Sequence, residues 1–176
     1  FVIRIRCGAP AVAALLACAW PAAASSDEAW LEIENDYFQA FTNASPKRAA
    51  NILADLENFR AAVLQTAVID VPAGTPKTQV IIVASRRELQ ALAGSARYDA
   101  YALDLGGVPY IAMHVNGYRD WSRHAVRHEF AHALLSYRDP ELPSWYAEGF
   151  AELMSGTRFR KKGTKYSIGQ RTAFAN

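Results

Sequence analysis

Cysteine is nearly absent. Only Cys7 and Cys18 occur in the 176 residues, both within the first 24, so the rest of the chain has neither a disulfide framework nor a thiol nucleophile. A surplus of charge is also missing. Lys and Arg number 19 against 17 for Asp and Glu, and Arg4 and Arg6 alone account for the difference, so beyond residue 24 nothing in the charge balance argues for a nucleic-acid partner. There is no internal repeat, no low-complexity tract and no long linker. The apolar stretch near the N-terminus is too short to stand as a stable membrane span, which needs about 20 residues. Histidine is scarce too, with four in the whole chain, so where these four lie carries information.

Two of them frame His128-Glu129-Phe130-Ala131-His132. On an α-helix, residues four apart differ by roughly 40° in azimuth and about one turn in height, so both imidazoles project from one face and can hold one metal ion. Glu129 leans over the same site. In this HExxH arrangement two neutral imidazoles bind Zn²⁺ and the glutamate is placed to take a proton from the activated water. The flanks agree. Trp121 to Tyr137 reads as one helix, with Ala125, Val126, Phe130, Ala133, Leu134 and Tyr137 at helical spacing, Asp120 or Ser122 as its cap and Asp139-Pro140 as its stop. A second helix is expected from Pro143-Ser144, with Ser144 as its cap and Glu148 in its next turn. The loop between them is long enough to turn the chain back, which offers Glu148 as the third ligand and leaves the fourth position for water.

Together with Trp145-Tyr146-Ala147-Glu148-Gly149-Phe150-Ala151-Glu152, this stretch resembles the gluzincin metallopeptidases, particularly the bacterial peptidase MA-like proteins whose second motif reads W-x-x-E-G-x-A-E. The resemblance spans roughly residues 78 to 155. It implies Zn²⁺ on His128, His132 and Glu148, with Glu129 as general base. It further implies that Glu152, one turn beyond Glu148, orients a ligand imidazole from outside the ligand set. The metzincin pattern does not fit, because Leu135 and Arg138 stand where it needs glycine and a third histidine. The inverted HxxEH motif is absent.

The N-terminus reads as a secretory signal over residues 1–24. Arg4 and Arg6 form a basic start, Ala9 to Trp20 an apolar centre, and Ala22-Ala23-Ala24 a small-residue cleavage site. A competing reading takes Leu15-Leu16-Ala17-Cys18 as a lipobox, with Cys18 as a lipid anchor. Either reading exports the chain, to the bacterial periplasm or beyond. The first residue is Phe1 and the last element ends without closure, so truncation is expected at both ends. Residues 25–176 suffice for one domain with a real core.

Within that domain, Trp30 to Thr42 suits a strand pair or a short helix. Ser45-Pro46 opens a helix with Ala50, Leu53, Leu56, Phe59 and Val63 on one face. Pro72 to Pro76 is a turn, and Gln79 to Ala84 a buried strand. Ser85-Arg86-Arg87-Glu88 is a capping box that opens a further helix. Tyr98 to Leu105 and Val108 to Val115 flank Gly106-Gly107 as a hairpin. The expected fold is therefore α+β and zincin-like, a small mixed sheet with an HExxH helix and a following glutamate helix. In proteins it resembles, the last strand before the active helix receives the substrate backbone, so Tyr110 to Val115 is expected to be a sheet edge.

The remaining polar residues are assigned more modest roles. His124, one turn before His128, cannot converge on the same tetrahedral ion and belongs to the surroundings of the site or to solvent. His114 is expected at the surface or in the cleft. Tyr137, Tyr146, Tyr166 and His114 are candidates to assist an oxyanion. Arg158, Arg160, Lys161, Lys162 and Lys165 around Gly163 read as a solvated hairpin. The functional expectation is a zinc-dependent hydrolase acting on peptide or protein substrates, most simply a metallopeptidase. A non-catalytic zinc-stabilised peptide-binding module and a zinc hydrolase of a non-peptide amide or ester are the alternatives.

Overall fold

Strands β1 (Val2–Arg6), β2 (Trp30–Glu34) and β3 (Phe38–Thr42) form one side of a mixed sheet, in a computed structural model that describes residues 2–6, 30–94, 99–160, 163 and 165–170. The stretch Trp30 to Thr42 is thus a strand pair and not a helix. Asn35 makes its turn, the side-chain Oδ1 accepting from the backbone N–H of Tyr37 at 2.9 Å and of Phe38 at 2.7 Å, an Asx turn that pre-sets the reversal. Strand β1 lies within the expected leader and pairs antiparallel with β2, Val2 opposite Glu34 and Arg6 opposite Trp30. Cys7, Cys18 and the expected cleavage site at Ala24 lie outside the described residues.

Helix α1 (Pro46–Ala67) starts on its proline, whose fixed φ and missing N–H suit a first helical position. It buries Ile52, Leu53, Leu56, Phe59 and Val63, a stripe at three- and four-residue spacing. Strand β4 (Thr78–Val83) follows and is apolar through its centre. Helix α2 (Arg86–Ala93) opens on the expected capping residue, Ser85 Oγ accepting from the Glu88 N–H. Strands β5 (Ala100–Leu105) and β6 (Val108–His114) form the expected hairpin. Its turn needs Gly106 and Gly107, both at positive φ, 65° and 85°, as a two-residue hairpin turn of the primed kind requires. Tyr98, expected to begin β5, lies outside the described residues.

The sheet order is β1-β2-β3-β4-β6-β5. Strands β3, β4 and β6 are parallel neighbours, and β5 closes the far side antiparallel to β6. This overturns one expectation. Val108–His114 is not a sheet edge, because β4 flanks it on one side and β5 on the other. The reason is visible in its composition: Ile111, Ala112 and Met113 are buried in succession, the signature of a strand covered on both faces. The edge is β5, whose last three residues are exposed.

Helix α3 (Asp120–Leu135) packs with α1 on one face of the sheet, and α2 covers part of the other. Phe130 anchors α3, its ring 5.9 Å from Phe38 and 6.2 Å from Phe59. Fully burying a side chain of this size contributes about 1.5–3 kcal/mol. The expected caps of α3 are not used. The N-cap position is Arg119, whose extended backbone ends the helix and makes no side-chain cap bond, and Ser122 is buried inside the first turn. The helix also stops before Asp139-Pro140, where tighter three-residue turns take over at Tyr137 and Arg138. The Arg138 guanidinium then donates to the Ala67 carbonyl at 2.7 Å, tying this end to the end of α1. Helix α4 (Ser144–Ser155) has Pro143 at its cap position, so Ser144 is its first helical residue and not its cap. Strands β7 (Arg158–Arg160) and β8 (Lys165–Ser167) form the expected basic hairpin. Lys161 and Lys162 lie outside the described residues. Among the described residues no helix is long and apolar enough to cross a membrane.

Candidate metal centre

Helix periodicity fixes the first half of the site. Val126, Phe130, Ala131 and Leu134 are buried, which turns His124, His128 and His132 together onto the flank that meets α4. There the ring of His132 stands at 71° to that of His128, with the two Nε2 atoms 3.2 Å apart. Helix α4 brings Glu148 over both. Its Oε2 lies 3.3 Å from His128 Nε2 and its Oε1 3.5 Å from His132 Nε2.

These distances have a direct chemical meaning. Zinc bonds to nitrogen and oxygen are about 2.0–2.2 Å long, so the donors along one edge of a tetrahedron lie roughly 3.3–3.6 Å apart. The three side chains stand at about that spacing already, and each offers one donor atom within 4.8 Å of the others. The two Nε2 atoms 3.2 Å apart and the carboxylate oxygens beside them would all turn lone pairs toward a single bound cation. Two imidazoles and one carboxylate form a donor set that fits a divalent transition metal such as zinc.

No family model and no curated protein matches this chain.

Glu152 sits one turn beyond Glu148, with Oε2 3.6 Å from His128 Nδ1 and Oε1 3.4 Å from His124 Nε2. The first separation is longer than a hydrogen bond. His124 is held a second time. Ser155 Oγ donates to the Glu152 carbonyl at 2.8 Å, so at 2.7 Å from His124 Nε2 it accepts the imidazole proton. His124 therefore belongs to the surroundings of the cluster, as its place on the helix requires, and contributes no donor to it.

Glu129 stands apart from the three donors. It is exposed and lines two adjoining clefts between α3 and β5, one of about 250 Å³ shared with His132 and one of about 690 Å³. The four expected oxyanion candidates do not line either cleft. Tyr166 donates to Gln65 Oε1 at 2.9 Å, and Tyr146 stacks on Phe150. Tyr137 stands near Arg60, and burial raises the pKa of its hydroxyl. His114 Nε2 lies 3.3 Å from Asp99 Oδ1, an oxygen that also receives Arg86 Nε at 2.8 Å. Tyr110, unremarkable in the sequence, lines both clefts with Glu129.

A buried polar network behind the helix also escaped sequence reading. Arg127, next to His128, is 4% exposed. Its Nη2 donates to both oxygens of Asp55 on α1, at 2.7 and 2.8 Å, and its Nη1 donates to the Thr157 carbonyl at 2.7 Å. Tyr118 completes the group by donating to Asp55 Oδ2 at 2.7 Å. The rings of Phe59 and Phe159 flank the guanidinium at 5.3 and 5.2 Å, a cation–π sandwich. Burial pulls the Arg127 pKa down, and the oxygens of Tyr118 and Asp55 more than reverse this. Burial, then Asp55, pushes the Tyr118 hydroxyl up, so it remains a proton donor at any ordinary pH. The network couples α1, α3 and the segment after α4 at the turn of helix that carries the first histidine.

Proposed function

We propose that the protein is an exported zinc-dependent hydrolase of zincin-like fold that cleaves peptide bonds. The observation that carries this reading is the convergence of His128, His132 and Glu148 into one cluster of three donors, with Glu129 outside that set and lining a cleft together with His132. A bound Zn²⁺ would polarise the scissile carbonyl and lower the pKa of water towards neutrality. Glu129 accepts the proton of the attacking water and returns it to the leaving amine. His128, His132 and Glu148 would hold the metal. Glu152, on the Nδ1 side of His128, would orient that ring by closing to hydrogen-bond distance when the metal is bound.

A purely structural metal site has no use for a carboxylate in a cleft shared with one of its ligands, which favours turnover over passive binding. Export rests on the leader composition described above. The direct experiment is digestion of a mixed peptide library by the purified chain with added zinc, repeated with a chelator. Cleavage that disappears with the chelator and returns on adding zinc supports a metallopeptidase. Hydrolysis confined to non-peptide amides or esters would replace the substrate class while keeping the metal chemistry.

The carboxylate outside the ligand set gives a graded prediction. Glu152→Ala is expected to weaken zinc binding by about 10–100-fold, measured by competition with a chromophoric chelator. An unchanged affinity would reduce Glu152 to a solvated helix charge.

A further inference from the structure

Four arginines are tied to protein acceptors. Arg48 donates to Asn116, Arg86 to Asp99, Arg127 to Asp55 and Thr157, and Arg138 to the Ala67 carbonyl. Arg60 of α1 is different. Among the described residues its guanidinium has no hydrogen bond and no ion pair, and its contact is with a ring, Cζ lying 3.9 Å from the centroid of Tyr37. Cation–π attraction holds the group there without using any of its five N–H donors. Glu57, one turn earlier on the helix, attracts the charge without pairing with it, and its carboxylate accepts from Asn35 Nδ2 at 3.3 Å. Burial lowers the Arg60 pKa, while Tyr37, Tyr137 and Glu57 oppose that, so the charge sits where a bound anion would be stabilising.

Arg60 and Tyr37 line a cleft of about 240 Å³ bounded by the turn over Pro72 to Pro76, the start of β4 and the C-terminal end of α3. Its lining residues all fall within the described stretches 30–94 and 99–160, and none belongs to the cluster of His128, His132 and Glu148. Three charged residues line it. Lys77 is committed to Glu34 at 2.7 Å and Asp36 is exposed, which leaves Arg60 as the lining cation with open donors. Val71, Pro76 and Leu134 give the cleft an apolar wall, to which Tyr37 and Tyr137 add aromatic surface.

We infer that this cleft is a binding site, separate from the metal centre, for a small organic acid whose carboxylate docks on Arg60 and whose apolar body rests against Leu134 and the two tyrosines. One open guanidinium matches the single charge and planar fork of a carboxylate, which it can hold with two parallel N–H···O bonds. Phosphate fits less well, because Lys77 is already neutralised by Glu34 and Asp36 would repel a second negative charge. The apolar wall likewise favours a ligand with a hydrocarbon part over a bare inorganic anion. Because the cleft shares no residue with the metal cluster, the inference stands apart from the hydrolase reading.

Benzoate, its neutral counterpart benzamide, and inorganic phosphate test this by titration into the full-length protein, with and without zinc, followed on the arginine Nε–Hε resonances in two-dimensional NMR. Benzoate is expected to bind saturably and to shift the resonance that is missing from Arg60→Gln. Benzamide and phosphate are expected to bind at least about tenfold more weakly. Arg60→Gln should weaken benzoate by about 10–100-fold. Asp36→Asn, at an exposed position, should tighten it about two- to fivefold by removing a like charge. If Arg60→Gln melts early, the Asp36→Asn result decides alone. Benzoate binding that benzamide equals, that survives Arg60→Gln, that ignores Asp36→Asn or that requires zinc overturns the inference, the last by placing the anion on the metal. Tighter binding of phosphate than of benzoate overturns the choice of a carboxylate. A protein that takes up no zinc yet binds benzoate at Arg60 upholds this site and removes the hydrolase reading.

Discussion

Glu129→Gln is expected to lower kcat by about 10²–10⁴-fold while zinc binds at unchanged stoichiometry. The size is that of removing a positioned general base, and the selectivity follows from geometry. Glu129 contributes no donor to the cluster of His128, His132 and Glu148, so glutamine, equal in shape but unable to accept the proton, should leave the metal where it is. KM is expected to change little, because the lost interaction is made in the transition state and not with the bound substrate. The check is steady-state kinetics on a cleaved library peptide beside zinc analysis of both proteins. Loss of zinc in the variant would make Glu129 part of the metal's support, and turnover within a factor of a few of wild type would remove it from the chemistry.

The largest expected effect on stability belongs to Arg127. Replacing it by methionine leaves the Thr157 carbonyl without its guanidinium donor and the Asp55 carboxylate with Tyr118 but no countercharge, in the interior between α1 and α3. Removing one partner of a buried pair costs about 3–5 kcal/mol. Asp55 keeps 27% of its side chain exposed, so the lower part of that range applies, about 3 kcal/mol. For a chain of this length that corresponds to a Tm lower by roughly 6–12 °C. Tyr118→Phe removes a single hydrogen bond to Asp55 and should cost about 1–2 kcal/mol. The double variant Arg127→Met with Asp55→Leu should lose less than the two single variants added together, because neither charge is then stranded. Chemical denaturation of the wild type, the three single variants and the double variant checks this, and a loss below about 1 kcal/mol for Arg127→Met would mean that the network does not hold α3 in place.

How much of this was legible from residues alone depends on the range of the interaction. The HExxH turn, the carboxylate one helix later and Glu152 a turn beyond it are local patterns, and the helix period dictates which side chains share a face. The Gly106-Gly107 hairpin and the Ser85 capping box are equally local. What failed was non-local or balanced between near-equal choices. The position of β6 in the interior depends on β4, some thirty residues earlier, pairing with it in parallel, and no residue within β6 encodes that partner. Its continuous burial was nonetheless a readable sign that it was no edge. The caps of α3 and α4 were misplaced because serine and aspartate compete with their neighbours over one or two positions, and the extended backbone of Arg119 and Pro143 settled the matter. The pairing of Arg127 with Asp55 joins residues 72 apart, so an arginine on a helix gave no hint of burial.

Zinc titration of the metal-free protein by isothermal calorimetry tests the central claim most directly. The account predicts one zinc per chain for the wild type. His132→Ala and Glu148→Ala should each weaken binding by more than the roughly hundredfold expected at most for the outer carboxylate Glu152. A wild type that takes up no zinc, or an affinity indifferent to His132 and Glu148, would contradict the metal centre and the chemistry derived from it.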